Sequence, residues 1–287
     1  MGYDPEFIPD CNILLPELSE AVREVALEQG EPVDHTRFSI IFNQTRKFAH
    51  VTAHNIDGAT RFSKPREGNF RFDPDIDNAF QIDNDQGYRG VPEEEDNPWD
   101  RGHLVRRASL IWGDPDEAKV AERESFFWSN ICPQHNQLHD GPWADIEDWM
   151  LDLADEGDKR ACVFTGPVLT NSDPEIINFE GQDPFHLPAG FWKIMAIKHQ
   201  GELKAAAFLV WQRDFDRPVP LNFEPFLEQV RVTTIEFLLG VSFASLRDAD
   251  ALQFGAMFDK RAGTRYLRAD SARIRSAAIT CPGDIII

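Results

Sequence analysis

Trp99-Asp100-Arg101-Gly102-His103-Leu104 is the stretch of this 287-residue chain that decides its fold. Ser129-Asn130-Ile131-Cys132-Pro133-Gln134 follows it after a span with the periodicity of one helix. Five residues beyond Gln134 begins His139-Asp140-Gly141-Pro142-Trp143, with Glu147 behind it. In this order the segments supply what metal-assisted hydrolysis of a phosphodiester requires: a histidine base, a guanidinium for the phosphate, and nitrogen and oxygen ligands for a divalent ion.

His103 and Arg101 are the candidate reactive residues of the first segment. A histidine suits the activation of water because its pKa lies near neutrality, and the planar guanidinium of an arginine matches a phosphate. An isolated histidine is more often a buried residue bonded to backbone, and an arginine is often half of a surface salt bridge. The ordered second and third segments favour the catalytic interpretation of both residues.

These segments resemble the DNA/RNA non-specific endonuclease family, the ββα-metal nucleases. An Asp-Arg-Gly-His box and an Asn-Ile-x-Pro-Gln box of that family match Asp100–His103 and Asn130–Gln134, and the likeness runs from about Phe38 to Asp250. It implies a single α+β domain, in which helices flank a central antiparallel sheet and a ββα-metal finger carries the site. The pattern of hairpins with interspersed helices favours the same architecture.

The resemblance also implies roles for individual residues. His103 would be the general base, and Arg101 would contact the phosphate. Asn130 would be a supporting catalytic residue and would belong to the metal site. The metal-binding Asn of the family falls on His139, and Glu147 would be both a catalytic residue and an outer metal ligand. Eight residues separate His139 from Glu147, which is about two helical turns, so both can face one side.

His139 departs from the family pattern, because imidazole suits Mn, Co or Ni better than Mg, which prefers oxygen. We expect one divalent ion, Mg or Mn, with His139 favouring Mn, Co or Ni. Asn136 and Asp140 are alternative ligands. Three outcomes stay open: activity with an altered metal preference, activity through Asn136 or Asp140, and decay. Decay is the least expected, because His103, Arg101, Asn130 and Glu147 are all present.

The net charge of −20 argues against a nucleic-acid substrate, since phosphate neutralisation supplies most of the affinity in such complexes. Acidic residues are spread widely, for example over Glu93–Asp96 and residues 145–158. Positive charge is local, and the candidate substrate-binding residues are four arginines, Arg66, Arg71, Arg106 and Arg107. A small basic floor in an acidic body would permit brief contact with substrate but poor long-range steering.

The composition also gives expectations about location and partners. We find no run of about eighteen apolar residues, no secretory signal, and four scattered cysteines without a Cys-x-x-Cys pair. A cytoplasmic protein with reduced thiols is therefore expected, and export by a non-classical route stays open. The expected partners are DNA and RNA, without a membrane, and an inhibitor or regulatory partner and a homodimer are further possibilities.

Local patterns predict the order of elements. Strands are expected at residues 38–42, 47–54, 126–131, 160–165, 191–199 and 203–211, and helices at residues 19–29, 115–124, 142–157 and 232–239. Gly166-Pro167 should close the fourth strand, and Gln200-Gly201 should turn the last hairpin. Residues 57–98 form a long loop. We divide the chain into an N-terminal extension packing on the domain (1–35), an endonuclease domain (36–270) and a C-terminal tail (271–287).

The sequence therefore predicts a metal-dependent endonuclease that hydrolyses DNA and RNA without sequence or sugar specificity. Its phosphodiester cleavage would use His103 as the base that activates water. Two rivals stay open. One is a catalytically silent nucleic-acid-binding module of the same fold, and the other is a phosphodiesterase acting on small nucleotides.

Overall fold

The protein's computed structural model describes residues 2–88, 99–157, 159–176, 183–212, 226–254, 276–279 and 282–287. The acidic run Glu93–Asp96 and the proposed boundary at residue 270 lie outside these ranges. The strands within them are β1 (Glu17–Leu18), β2 (Val33–His35), β3 (Phe38–Asn43), β4 (Phe48–Asp57), β5 (Trp99–His103), β6 (Ile131–His135), β7 (Arg160–Val168), β8 (Glu175–Ile176), β9 (Phe185–His186), β10 (Gly190–His199), β11 (Glu202–Trp211), β12 (Phe226–Val230), β13 (Val241–Ser242) and β14 (Ser276–Ala278).

The helices connect these strands at their ends. In the described ranges they are α1 (Glu20–Val25), α2 (Pro115–Glu124), α3 (Asn136–His139), α4 (Pro142–Asp155), α5 (Val232–Leu239), α6 (Ala244–Arg247) and α7 (Ala251–Phe254). None of them has the length and apolarity of a segment that crosses a bilayer. The cysteines in the described ranges, Cys11, Cys132 and Cys162, carry free thiols.

One antiparallel sheet organises the molecule. Among the described residues it has eight strands, in the order β14-β12-β11-β10-β7-β4-β3-β2. Side chains alternate across it, because successive residues of a strand point to opposite faces. On β10, Phe191 and Met195 join the core under α4, whereas Trp192 and Ile194 join the core under α5 and the N-terminal segment. The α+β architecture with a central antiparallel sheet is therefore confirmed.

The hairpin and helix predictions hold where turn chemistry is clear. Gln200 and Gly201 connect β10 to β11 with positive φ angles of 51° and 85°, as a two-residue turn requires. Helix α5 ends at Gly240, whose φ is 67°. Helix α4 begins at Pro142, which suits a first helical position because its missing N–H would have no partner there.

Three predicted elements differ from the structure. The strand expected at residues 126–131 is β6, which begins only at Ile131 after a 3-10 turn over Trp128–Asn130. The helix expected at residues 19–29 ends at Val25. Gly166 and Pro167 do not close β7, because both pair with β10 inside the sheet. Apolar runs alone do not fix such boundaries, since burial decides where a segment pairs.

Both ends of the chain join the same sheet. Tyr3 donates its backbone N–H to the Ser39 hydroxyl, and β2 pairs with β3, so the proposed division at residue 35 falls between two paired strands. Near the other end, β14 pairs with β12, and Ile286 exchanges two hydrogen bonds with the Gln229 side chain. The described part of the tail therefore docks on the domain.

Candidate active site

A two-stranded ribbon outside the main sheet carries the first two sequence boxes. Strands β5 and β6 pair antiparallel, with Arg101 opposite Pro133 and His103 opposite Ile131. Gly102 is required by close packing, because a Cβ there would lie 2.1 Å from the buried side chain of Gln134. The ribbon continues into α3 and α4, which gives the expected ββα arrangement.

A cavity of about 490 Å³ opens where the ribbon meets α4. Its wall brings together most of the predicted site residues, namely Arg66, Arg101, His103, Arg106, Arg107, His139, Asp140 and Glu147. Asp100, Phe70 and Phe126 complete the part of the wall that matters for chemistry. Cations, carboxylates and imidazoles from distant parts of the sequence therefore face one space.

The His103 ring is half-buried against aromatic rings at the cavity wall. Its centroid lies 4.9 Å from that of Phe126, edge to face, and 5.7 Å from that of Phe70. Within the described residues, its buried Nε2 has no hydrogen-bond partner. Burial lowers the pKa of His103 to about 3, and the positive charges of Arg66 and Arg107 act in the same direction. The imidazole is therefore neutral near pH 7, which is the form that a general base requires, but so low a pKa makes it a weaker proton acceptor than an exposed histidine.

Two arginines are held over the same aromatic wall. The Arg101 guanidinium carbon lies 4.7 Å from the centroid of Phe70, and that of Arg66 lies 4.6 Å from Phe126 and 5.5 Å from Phe70. Phe70 in turn stacks on Trp128 at 5.0 Å. Such cation–π contacts fix the orientation of a guanidinium while leaving its N–H edge directed outward.

Arg106 and Arg107 also line the cavity, and both are paired with acids. Arg106 Nη1 lies 2.6 Å from Asp148 and its Nε lies 3.6 Å from Glu147. Arg107 Nη1 donates to the buried Glu122 carboxylate at 2.9 Å. These contacts hold both guanidinium groups in place in the cavity wall.

His139 lies among carboxylates, in a group that could hold a metal ion. Its Nδ1 is 3.1 Å from Asp100 Oδ2 and 3.4 Å from Asp140 Oδ1, and one ligand atom of each residue lies within 4.8 Å of the others. One imidazole and two carboxylates are a suitable donor set for a divalent ion such as Mn²⁺. The hydrogen bond with Asp100 is the largest cause of a raised pKa at His139.

Glu147 faces the cavity from α4 and is anchored from below. The ammonium of Lys193, a residue of β10 that is only 1% exposed, donates to Glu147 Oε1 at 2.9 Å. The same ammonium lies 4.5 Å from the centroid of Trp143. The predicted outer carboxylate is therefore oriented by a buried cation from the main sheet.

Asn130 does not lie in the cavity wall, and this corrects its assignment as a metal residue. Its fully buried side chain accepts from Val105 N at 2.8 Å and donates to Val105 O and Ser125 O. These bonds tie the start of β6 to the chain just after His103. Asn130 therefore positions the ribbon, and its own side chain does not face the cavity.

Two further predicted residues point elsewhere. Asn136, the first residue of α3, is exposed, accepts from Gln137 N and does not line the cavity, so the structure gives it no place among the ligands. Arg71 lies with its guanidinium carbon 4.7 Å from the Phe127 ring, also outside the cavity wall. Of the two upstream arginines, Arg66 is the one at the site.

Asp100, Lys193 and Phe70 are site residues that sequence reasoning missed or misassigned. Asp100 is adjacent to Arg101 on β5, so strand alternation directs the two side chains to opposite faces of the ribbon. Helix α3, which follows β6 directly, brings His139 Nδ1 to 3.1 Å from Asp100 Oδ2. Lys193 carried a signal that could have been read, since a lysine at the inward position of an apolar strand needs a buried acidic partner.

A second histidine–aspartate group lies outside the cavity and reads as structural. His35 Nε2 is 3.0 Å from Asp73 Oδ2, which also accepts from the Ser129 hydroxyl at 2.6 Å. The Asp73 carboxylate additionally accepts from the backbone of Asp75. This network ties β2 to the turn that precedes β6.

Most of the chain matches a known protein family and proteins that belong to it. Residues 19–250 match the family described as DNA/RNA non-specific endonuclease. A nuclease of Serratia marcescens is 30% identical over 211 residues, which are 72% of this chain and 72% of that protein. The mitochondrial endonuclease G of Homo sapiens is 26% identical over 185 residues, or 62% of this chain and 57% of that protein.

Two other matches are a longer protein and a solved structure. An uncharacterised protein of Sinorhizobium fredii is 32% identical over 241 residues, and these span 78% of this chain but only 34% of that longer protein. The crystal structure of an EndoG/EndoGI complex matches with a TM-score of 0.56 at 14% identity, covering 77% of this chain and 89% of that chain, and so supports the fold. With the ribbon, the cavity and the match over residues 19–250 in agreement, the chain belongs to the DNA/RNA non-specific endonuclease family.

Proposed function

We propose that the protein is a metal-dependent endonuclease that hydrolyses phosphodiester bonds in DNA and RNA without sequence preference. One observation carries the proposal: a single cavity is lined by the neutral His103, four arginines and the His139–Asp100–Asp140 group. The retention of the base, the cations and the candidate ligands together favours an enzyme over a silent binding module.

His103 is the general base in this proposal. Its neutral ring and its buried, unengaged Nε2 within the described residues support the removal of a proton from water. The rings of Phe70 and Phe126 restrict water around the imidazole. Positioned proton transfer of this kind contributes about 10²- to 10⁴-fold to a rate.

Arg66 and Arg101 receive the phosphate. Their guanidinium groups are stacked on Phe70 and Phe126 in the cavity wall, so little side-chain entropy is lost when a phosphate binds. Contacts to phosphate position a nucleic acid but carry no sequence information. The proposal of cleavage without sequence preference rests on this cationic, aromatic wall.

His139, Asp100 and Asp140 would hold the divalent ion, and Glu147 would act in the shell around it. A bound divalent ion would supply stabilisation of the negative charge on the phosphoryl group. The protein's own contribution is orientation: Lys193 holds the Glu147 carboxylate toward the cavity, and Asn130 holds the ribbon that carries Asp100 and His103.

A restraining partner belongs to the same proposal. The structurally similar EndoG was solved in a complex whose description concerns the mechanism of EndoG inhibition. We propose that this chain is also controlled by a partner, because a nuclease without sequence preference would attack its host's own nucleic acids. Association into a homodimer stays a prediction that light scattering would test.

The decisive experiment compares the wild type with His103→Ala on supercoiled plasmid and on single-stranded RNA, each with Mg²⁺ or Mn²⁺. Wild-type protein should nick the plasmid and degrade the RNA, and His103→Ala should lose about 10²- to 10⁴-fold in rate, which is the usual contribution of a positioned general base. Circular dichroism and gel shift should show unchanged folding and binding. Wild-type protein that cleaves neither substrate would refute the proposal, and a variant retaining more than about a tenth of the rate would refute the role of His103.

A further inference from the structure

A second cavity adjoins the candidate active site. It has a volume of about 310 Å³ and shares Arg107 and Ala108 with the first, so the two cavities meet at these residues. Four other residues of its wall are Arg61, Phe62, Lys64 and Asp155. Nothing in the proposed chemistry at His103 uses this space.

The side chains of this cavity combine positive charge with an aromatic surface. Three cations, Arg61, Lys64 and Arg107, line it against one acid, and that acid, Asp155, is bound by Arg61 through bonds of 2.6 and 3.0 Å. Phe62 is 36% exposed, so part of its ring faces solvent beside the cations. A phenylalanine face among cations is the composition of a site for a single nucleic-acid strand, where bases stack and phosphates pair.

The cations are held in place from behind. Lys64 and Arg107 share the carboxylate of Glu122, a residue of α2 that is fully buried and outside the cavity wall. An ammonium carries three donors and a guanidinium five, so one shared carboxylate does not use them up. Glu67 lies 3.6 Å from Lys64, but at an exposed edge where water screens it.

Positive charge is crowded around Arg107, a residue that lines both cavities. The pKa of the Arg66 guanidinium is lowered by burial and then by the charges of Arg101 and Arg107. Like charges held this close gain stability when an anion binds between them, which supplies a local attraction in a chain of net charge −20.

We propose that the second cavity binds the nucleotide next to the one whose phosphodiester is cleaved, with Lys64 and Arg107 holding its phosphate and Phe62 stacking on its base. The inference rests on the proposed nuclease function and adds a substrate preference to it. The enzyme should act better on a strand that fills both cavities than on a diester that fills only the first.

The test uses two substrates and three variants, together with Phe62→Trp as an aromatic replacement at position 62. Bis(4-nitrophenyl) phosphate fits the first cavity alone, and a short single-stranded DNA reaches both. The variants are Lys64→Gln and Phe62→Leu, with Lys204→Gln as the matched control, because Lys204 also pairs with a glutamate, Glu202, but on β11 and in neither cavity wall. KM and kcat are measured for both substrates as salt is varied.

Lys64→Gln should raise KM for the DNA about ten-fold and leave turnover of the small diester unchanged, because only the DNA reaches Lys64. The slope of log binding constant against log salt should become shallower by about 0.7, as expected when one phosphate contact of a single strand is lost. Phe62→Leu should raise KM for the DNA about five-fold without changing the salt slope, and Phe62→Trp should restore it. Lys204→Gln should change neither substrate.

Variants that behave like the wild type on DNA would overturn the inference. Equal losses on both substrates would also overturn it, since the residues would then only support the first cavity. If Lys64→Gln does not fold, the Phe62→Leu and Phe62→Trp pair decides alone. A wild-type protein inactive on both substrates would instead refute the proposed function, so the two failures are distinguishable.

Discussion

His139 can either pair with Asp100 as an imidazolium or bind a metal as a neutral ring, but not both at once. Its Nδ1 lies 3.1 Å from the Asp100 carboxylate, and this contact raises the pKa of His139 above 6.5. Metal binding therefore has to release a proton, and its apparent affinity should rise as pH increases through that pKa. The Asp100 carboxylate would then contact the metal ion in place of the His139 imidazolium.

The first prediction at the residue scale concerns metal preference. If His139 is a direct ligand, Mn²⁺, Co²⁺ or Ni²⁺ should support more activity than Mg²⁺ at equal concentration, because imidazole is a softer donor than oxygen. His139→Asn should raise activity in Mg²⁺ relative to Mn²⁺, and His139→Ala should reduce both. The measurement is plasmid nicking over a series of metal concentrations.

Asn136→Ala is the control for that series. Asn136 is exposed and outside the cavity wall, so its replacement should leave the metal ranking as it is. Retention of most activity by His139→Ala would show that the ion is held by carboxylates such as Asp140 without the imidazole.

A second prediction at this scale concerns stability in acid. Burial lowers the pKa of His50 to about 4, and the positive charge of Arg46 acts in the same direction. The unfolded chain binds this proton from pH 6.5 downward and the folded protein does not, so stability is full above pH 6.5 and is lost as pH falls toward about 4.

The measurement is the free energy of unfolding in denaturant over that pH range. In His50→Gln, the free energy of unfolding lost between pH 6.5 and about 4 should be smaller by up to about 3 kcal/mol, since each pKa unit corresponds to about 1.4 kcal/mol. Glutamine keeps a polar group near Asn43, which now lies 3.3 Å from His50 Nε2. An unchanged slope in His50→Gln would contradict the assignment.

At the scale of elements, the β5–β6 ribbon determines where the reactive groups stand. Gly102 lies against the buried side chain of Gln134, and Asn130 bonds to Val105 at both its backbone groups. The ribbon is therefore fixed on two sides, although it has only two strands and lies outside the main sheet. Its rigidity comes from these contacts, since an isolated two-stranded hairpin is marginal in water.

Two glycine substitutions test this view. Gly102→Ala should push the ribbon away from Gln134, destabilise the fold by about 1–3 kcal/mol through overpacking, and reduce activity about ten- to hundred-fold through misplacement of His103. Gly201→Ala, in the β10–β11 turn at a φ of 85° and with open space around it, should cost about 1 kcal/mol and no activity. Thermal unfolding and initial rates measure the two effects. Equal activity losses in both variants would contradict the conclusion that the position of the ribbon controls activity.

At the scale of the whole molecule, the net charge of −20 and the cationic cavity should have opposite effects on the binding of a nucleic acid. If the protein acts as proposed, the arginines of the cavity would supply a few phosphate contacts, and the excess of acidic residues in the chain would repel a polyanion. Affinity should therefore be low and should depend on a small number of contacts.

The prediction for the whole molecule is steep loss of activity with salt. The slope of log binding constant against log salt for duplex DNA should lie between about −2 and about −5, because each contact contributes about 0.9. Gel shift or fluorescence anisotropy with His103→Ala protein measures it without cleavage. Binding that stays constant from low salt to several-fold above physiological salt would contradict this account of recognition.

The sequence by itself determined the family, the order of the catalytic boxes and the elements with clear turn chemistry. His103, Arg101 and Glu147 could be named because their spacing to glycines, prolines and each other is local information. The β10–β11 hairpin and the start of α4 followed from Gln200-Gly201 and Pro142 for the same reason.

Only the tertiary structure decided which of the candidate residues share a space. Arg66 and Arg71 are five positions apart and alike in chemistry, yet one stacks on Phe126 inside the cavity wall and the other on Phe127 outside it. The Asn130 side chain makes three hydrogen bonds with Val105 and Ser125, so it does not face the candidate metal group. Lys193 gained a role because β10 passes beneath α4, where its ammonium meets Glu147. Contacts between residues far apart in sequence depend on how sheet, ribbon and helices pack, and no local pattern encodes that packing.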